Sequence, residues 1–194
     1  MVSVAAVVAG LTGGQIAAAG SAAGVPANTA ALAAGSIALL QQASNAAVEV
    51  NLFHRTEERI RKITTLLERH GVTVLEGIPE RLLPLSHDRA LCLPGGIGSA
   101  DVVLVPLEDG DRCQALVDLG KTVITIDLNP LSRTAMTATL TIVDEVTRAI
   151  PQVTRFCRAL TREEVDLYAT GYENRELLRS AIRKIQLRLD HALD

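Results

Sequence analysis

The stretch Asp101-Val102-Val103-Leu104-Val105 constrains this chain most, because four aliphatic residues follow one another with no polar alternation. A strand with one wet face alternates polar and apolar positions, whereas a strand covered on both faces reads as a continuous apolar run. Thr122–Ile126 reads as another buried strand, Thr139–Val143 as a further strand, and Val48–Val50 begins a short one. Helical patterns separate these runs. Thr56 to His70 places Ile60, Ile63, Leu66 and Leu67 on one face, with Thr56 as N-cap and Gly71 as stop. Val72–Leu75 reads as a strand, Asp111–Gly120 as a helix, and Asp144 opens a helix toward Cys157. Thr161–Tyr168 and Asn174–Leu193 read as C-terminal helices. Strand–helix alternation predicts an α/β fold, a doubly wound and mostly parallel sheet with right-handed crossovers. No repeat or linker divides the chain, so a single domain is expected over 1–194, with the sheet core at 49–160 and helices at 161–194.

The start of the chain differs in kind. No charged residue precedes Glu49, and residues 1–48 hold 17 Ala and 6 Gly. A secretory leader would need a basic n-region before a compact apolar stretch. A membrane span would need about 20 uninterrupted apolar residues, and Thr12-Gly13-Gly14-Gln15, Gly20-Ser21 and Val25-Pro26-Ala27-Asn28 break every run. Residues 1–48 are therefore expected to form Ala-rich helices packed against the body, with no membrane partner.

Composition excludes several functions. The net charge is -3, there are four aromatic residues and no Trp, so neither a phosphate backbone nor stacked bases would be attracted, and no nucleic-acid partner is expected. Cys92, Cys113 and Cys157 are odd in number and widely spaced, which fits a reducing, cytoplasmic setting and excludes a thiolate zinc site. The basic residues divide into 16 Arg and 3 Lys, a bias toward the planar fork that grips carboxylates and phosphates.

The strands empty into polar clusters: Asn51–Arg55, Pro106–Arg112, Asp127–Thr134 and Asp144-Glu145. Open α/β sheets bind ligands outside the carboxyl ends of their strands. Parallel strands would bring all four clusters to one edge, where acids suit Mg²⁺ and Arg55, Arg112 and Arg133 suit phosphoryl oxygens. That is the chemistry of nucleotide and phosphate handling. Two short patterns do not carry it. Gly120-Lys121-Thr122 lacks the upstream Gly of a phosphate loop and leads into a strand, so it reads as a helix C-cap with a turn lysine. Gly96-Ile97-Gly98 lacks the third Gly of a dinucleotide fingerprint.

Three longer segments, Val50–Arg59, Ser99–Arg112 and Ile126–Ala135, resemble the archaeal 4-phosphopantoate–β-alanine ligase (phosphopantothenate synthetase) family, in the right order. Asn28-Thr29-Ala30-Ala31-Leu32 is similar to an Asn-containing loop of that family. The resemblance implies a Rossmann-like core, a homodimer, and an ATP-dependent ligase of coenzyme A biosynthesis. Such an enzyme joins 4-phosphopantoate to β-alanine and releases AMP and pyrophosphate. It also implies nucleotide contacts at Asp127, Leu128, Asn129, Arg133, Thr134, Glu145 and Val146. Charge and placement add Asn51, Arg55 and Arg112 as substrate-binding candidates beside Asn28. Glu108, Asp109 and Asp111 are catalytic candidates, for Mg²⁺ or for the proton of the attacking amine, and no metal ligand set is assigned. Family members carry basic ATP contacts before the Asn loop, where this chain is charge-free. The alternative is thus a non-catalytic nucleotide- or phosphate-binding subunit whose N-terminal part of the site is lost or truncated.

Overall fold

The structure is a computed structural model that describes residues 4–7, 27–106, 110–161, 163–165 and 171–192, with 4–7 and 27–30 described by their backbone alone. Five parallel strands form the main sheet in the order β2-β1-β5-β6-β7: β1 (Val4–Val7), β2 (Ala47–Glu49), β5 (Val102–Pro106), β6 (Thr122–Ile126) and β7 (Leu140–Ile142). Two short strands, β3 (Glu80–Arg81) and β4 (Leu91–Cys92), pair antiparallel within the connection between β2 and β5. Val72–Leu75 contributes only a bridge from Val74 to Val48, with Leu75 N donating to Val48 O at 2.7 Å, because it lies on the outer side of the edge strand β2.

One expectation is corrected at the N-terminus. Val4–Val7 is not helical; it is the strand between β2 and β5, in register with Ala47–Glu49 on one side and with Val102 on the other. An Ala-rich helix does follow, α1 (Ala27–Ser44), and Asn28 sits in its first turn rather than in a loop. Alanine is the strongest helix former. The helix ends at Asn45, whose φ of 55° is the left-handed conformation that asparagine tolerates at a C-cap.

The continuous apolar runs are covered on both faces. Leu104 and Ile126 point toward Ala33, Ile37, Ile63, Leu67 and Ile150, contributed by α1, by α2 (Glu57–Arg69) and by α5 (Val146–Ala159). Val103, Val105 and Val123 point the other way, toward Cys113 and Leu116 of α3 (Gly110–Asp118) and toward Ile97 and Ala100. Successive strand residues alternate faces, so both must be apolar, and each buried Val, Leu or Ile contributes about 1.5–3 kcal/mol. The short α4 (Arg133–Thr137) follows β6, and α6 (Asn174–Leu189) is the last helix of the described residues.

Local signals place the helix ends. Thr56 Oγ1 accepts the Arg59 N–H at 3.2 Å, and Gly71 closes α2 with a φ of 84°. Gly120 closes α3 with a φ of 77°, and Lys121 Nζ donates to Gly98 O and Ala100 O at 3.0 and 2.7 Å. The Gly-Lys-Thr triplet is thus a cap and a turn lysine.

Candidate active site

Because β2, β5, β6 and β7 run parallel, the segments that follow them lie along one rim of the sheet. Chain order reverses between β1 and β5, the kind of switch point outside which such sheets hold ligands.

The loop after β6 is held by its own side chains. Asp127 accepts from Asn129 N at 2.9 Å and from the Ser132 hydroxyl, while Asn129 Oδ1 accepts from Leu131 N at 3.0 Å. Ser132 Oγ also accepts from Ala135 N at 2.9 Å and so caps α4. These bonds spend no freedom at the moment of ligand binding, since the loop is already ordered. Leu128 stands out from it, exposed, and Thr134 is buried beneath it. Arg133 pairs with Asp111 across the gap between α4 and α3, both side chains exposed to solvent.

Beside this loop, Asp127 N donates to Ile142 O at 3.0 Å and so joins it to the end of β7. There Glu145 caps α5 through Thr147 N at 2.8 Å, and Val146 is buried. Asp144 accepts from Glu145 N and from Arg148, which hold its carboxyl below the usual range.

Beyond β2 the polar groups turn inward. Glu49, Asn51 and Arg112 are 1%, 0% and 0% exposed. Arg112 Nη1 donates to Asn51 Oδ1 at 2.8 Å, and Asn51 Nδ2 donates to Leu91 O at 2.8 Å with Glu49 Oε1 at 3.5 Å. Glu49 accepts from Leu93 N at 3.1 Å and from Ile97 N at 3.0 Å. Burial nevertheless pushes its carboxyl above the ordinary value, against the lowering effect of those bonds and of Arg112.

Above this buried unit two loops clasp each other. Arg55 N donates to Asp88 Oδ2 at 2.9 Å, and the Phe53 ring stacks on His87 at 4.5 Å with the Arg89 guanidinium 5.8 Å from its centroid. His87 Nδ1 is buried without a hydrogen-bond partner among the described residues. Arg55 also lines a hollow of about 650 Å³ that opens along α2. Among the described residues, none of the other expected site residues lines that hollow, which runs between α2 and the Val74–Gly77 segment.

The structure therefore brings together Asp111 with Arg133, Asn51 with Arg112, and Asp127 with Asn129 in one preformed loop. Glu108, Asp109 and the side chain of Asn28 lie outside the described residues. Sequence reasoning missed Glu49, an acid between Val48 and Val50, whose place within a strand was the available signal. No group of three metal-ligating side chains gathers among the described residues. Burial pushes the Cys92 thiol up to about 12, so it is no nucleophile at neutral pH. No helix of the described residues is long and apolar enough to cross a membrane. What the rim offers is oriented polar groups and cations, suited to positioning and charge neutralisation.

The family model described as phosphopantothenate/pantothenate synthetase matches residues 12–188. A protein of Methanospirillum hungatei named 4-phosphopantoate–β-alanine ligase is 56% identical over 172 residues, covering 86% of this chain and 69% of that protein. Proteins of the same name from Methanosarcina mazei and Thermococcus kodakarensis are 50% and 44% identical, covering 82% and 84% of this chain and 64% of each of theirs. The chain thus spans about two thirds of the length of these relatives. With the family model matching nearly all of it, the chain belongs to the phosphopantothenate/pantothenate synthetase family.

Proposed function

We propose that the chain is an ATP-dependent ligase that joins 4-phosphopantoate to β-alanine in coenzyme A biosynthesis. A carboxylate is a poor electrophile, so it is first activated: its oxygen attacks the α-phosphorus of ATP, forming an acyl-adenylate and expelling pyrophosphate. The β-alanine amine then attacks the acyl carbon, loses a proton and expels AMP. Both steps need alignment and charge neutralisation more than a protein nucleophile.

The preformed loop after β6 carries this reading, because Asp127, Asn129 and Ser132 order it in advance at the strand ends. Asp127, Leu128, Asn129 and Thr134 are assigned to the adenosine, with Glu145 and Val146 beside them and Arg133 on a phosphate. Asn28, Asn51, Arg55 and Arg112 are assigned to the substrate side, Arg112 acting from the buried floor as a fixed positive charge. Glu108, Asp109 and Asp111 remain candidates for the ammonium proton. Asp111, with Glu108 and Asp109, would help hold a Mg²⁺ brought with ATP, which would neutralise phosphate charge. The strand order is read as a Rossmann-like, doubly wound sheet within a single domain, and the protein as a cytoplasmic homodimer.

Purified protein supplied with ATP, Mg²⁺, 4-phosphopantoate and β-alanine should release AMP. ATP binding without AMP release favours the non-catalytic nucleotide-binding subunit, a reading motivated by the absence of any Lys or Arg from residues 1–48. Absence of ATP binding overturns both.

A further inference from the structure

Glu49 has no part in the assignments above, yet it is the most densely bonded carboxylate beneath the rim. Its two oxygens accept from two backbone N–H groups of the turn that carries Leu93 to Gly98, Oε1 from Leu93 and Oε2 from Ile97. The turn is shaped around that carboxylate. A Cβ placed on Gly96 would lie 2.3 Å from Glu49 Oε2 and 3.0 Å from Leu75 Cδ2, so only glycine allows the approach.

The same carboxylate constrains Asn51. Glu49 Oε1 and Leu91 O can only accept hydrogen bonds, so both require the amide nitrogen of Asn51 to face them. That leaves Asn51 Oδ1 as the atom presented to Arg112, whose Nη1 donates to it at 2.8 Å. A buried carboxylate, an amide and a guanidinium are thereby ordered in sequence, each dictating the orientation of the next.

We infer that Glu49 is a positioning residue for the substrate side of the site, holding the Leu93–Gly98 turn and, through Asn51, the buried guanidinium of Arg112. This rests on the proposed ligase activity for its substrate and on Arg112 for its connection to the bound anion. Glu49 touches neither substrate nor reacting atoms.

The conservative variant Glu49→Gln separates positioning from charge. If Glu49 acted only as a negative charge near an anion site, its neutralisation would strengthen binding of the phosphorylated acid. If it acts by positioning, the amide nitrogen of Gln must face Leu93 N or Ile97 N, two donors meet, and the unit loosens. E49Q should therefore raise KM for 4-phosphopantoate about tenfold while KM for ATP stays within about twofold, since the nucleotide loop shares none of these bonds. Asn51→Ala, which cuts the link but keeps both turn bonds of Glu49, should raise the same KM and spare ATP. Calorimetric titration of 4-phosphopantoate into wild type and both variants gives the affinity ratio without turnover. AMP release by wild type tests the ligase reading separately. A lowered or unchanged KM or Kd for 4-phosphopantoate in folded E49Q, or a parallel loss of ATP affinity, overturns the inference. If E49Q does not fold, Glu49→Asp, whose shorter carboxylate cannot reach both turn N–H groups, decides by the same criterion.

Discussion

Gly110 and Arg133 meet so closely that no side chain fits between them: a Cβ on Gly110 would lie 2.6 Å from Arg133 Cβ and 3.0 Å from its Nε. The first residue of α3 is thereby the surface on which the first residue of α4 rests, although 23 positions separate them in the chain (133 minus 110). The absence of a side chain here sets where the Arg133 guanidinium can reach, and its partner Asp111 follows directly in α3. Gly110→Ala should raise the intrinsic helix propensity of α3 by up to about 1 kcal/mol yet displace Arg133. The expected outcome is ATP affinity about fivefold weaker by calorimetry, within the range for one weakened charge-assisted bond. Unchanged affinity would show that the contact does not guide the arginine.

Arg133→Ala should weaken ATP binding about 10- to 100-fold, the span for losing a hydrogen bond to a charged group. Its fold should survive, because the pair with Asp111 is exposed and pairs of that kind contribute about 0–1 kcal/mol. Calorimetry with ATP alongside thermal unfolding checks both halves. A large fall in Tm with no change in affinity would reassign the residue to structure.

Ser132→Ala removes one oxygen that both caps α4 and holds Asp127. Loss of the cap should cost about 1 kcal/mol, lowering Tm by roughly 2–4 °C for a chain of this size. ATP affinity should fall with it, because the loop loses its internal tie. Differential scanning calorimetry and titration on the same sample test whether the two losses travel together.

The pH dependence of stability carries the signature of Glu49. Burial raises its folded pKa above the ordinary 4.5, so between 4.5 and the folded value the native state holds more proton than the unfolded chain. Stability contributed by this group is present below that window and declines as pH rises through it. Glu49→Gln has no such dependence. Urea unfolding at stepped pH should give a wild-type minus E49Q stability difference that decreases above pH 4.5 and then levels off. A difference that grows with pH would contradict the burial of an ionising carboxyl.

Asn174 ties the last helix to the sheet: its Oδ1 accepts from Thr141 N at 2.9 Å, and its Nδ2 donates to Ala135 O and Ala138 O at 2.8 and 2.9 Å. The Tyr172 hydroxyl also donates to Oδ1 at 3.1 Å. Asn174→Ala should therefore cost about 2–4 kcal/mol from four lost bonds and speed exchange of the α6 amides, measured by hydrogen–deuterium exchange. Exchange confined to its wild-type pace would place the anchoring of α6 elsewhere, at Leu178, its one buried residue among those described.

Much of the architecture is legible residue by residue. Val102–Val105 and Thr122–Ile126 announce themselves because a strand covered on both faces must be apolar on both, and Thr56 and Gly71 mark α2 because capping and positive φ need those residues. Val4–Val7 does not announce itself. Its two alanines carry little strand preference, and its conformation comes from pairing with β2 and β5, which no local window contains. The same limit applies at the rim. The polar clusters after each strand are visible in the sequence, but which of their members face inward is decided by tertiary packing. Arg112 and Asn51 could be named from charge and position; that Glu49 lies beneath them could not.

The placement of β1 dictates an order of assembly. Val4–Val7 is synthesised well before Val102, yet that strand acquires its second neighbour only once Val102 has been made and brought back across the intervening residues. Closing so long a loop is entropically slow, and until it closes one row of backbone N–H and C=O groups stays open to any competing edge. β1 is thus made before both of its neighbours yet enclosed only late, and the vulnerable moment of this molecule's life falls while that strand still has an open side.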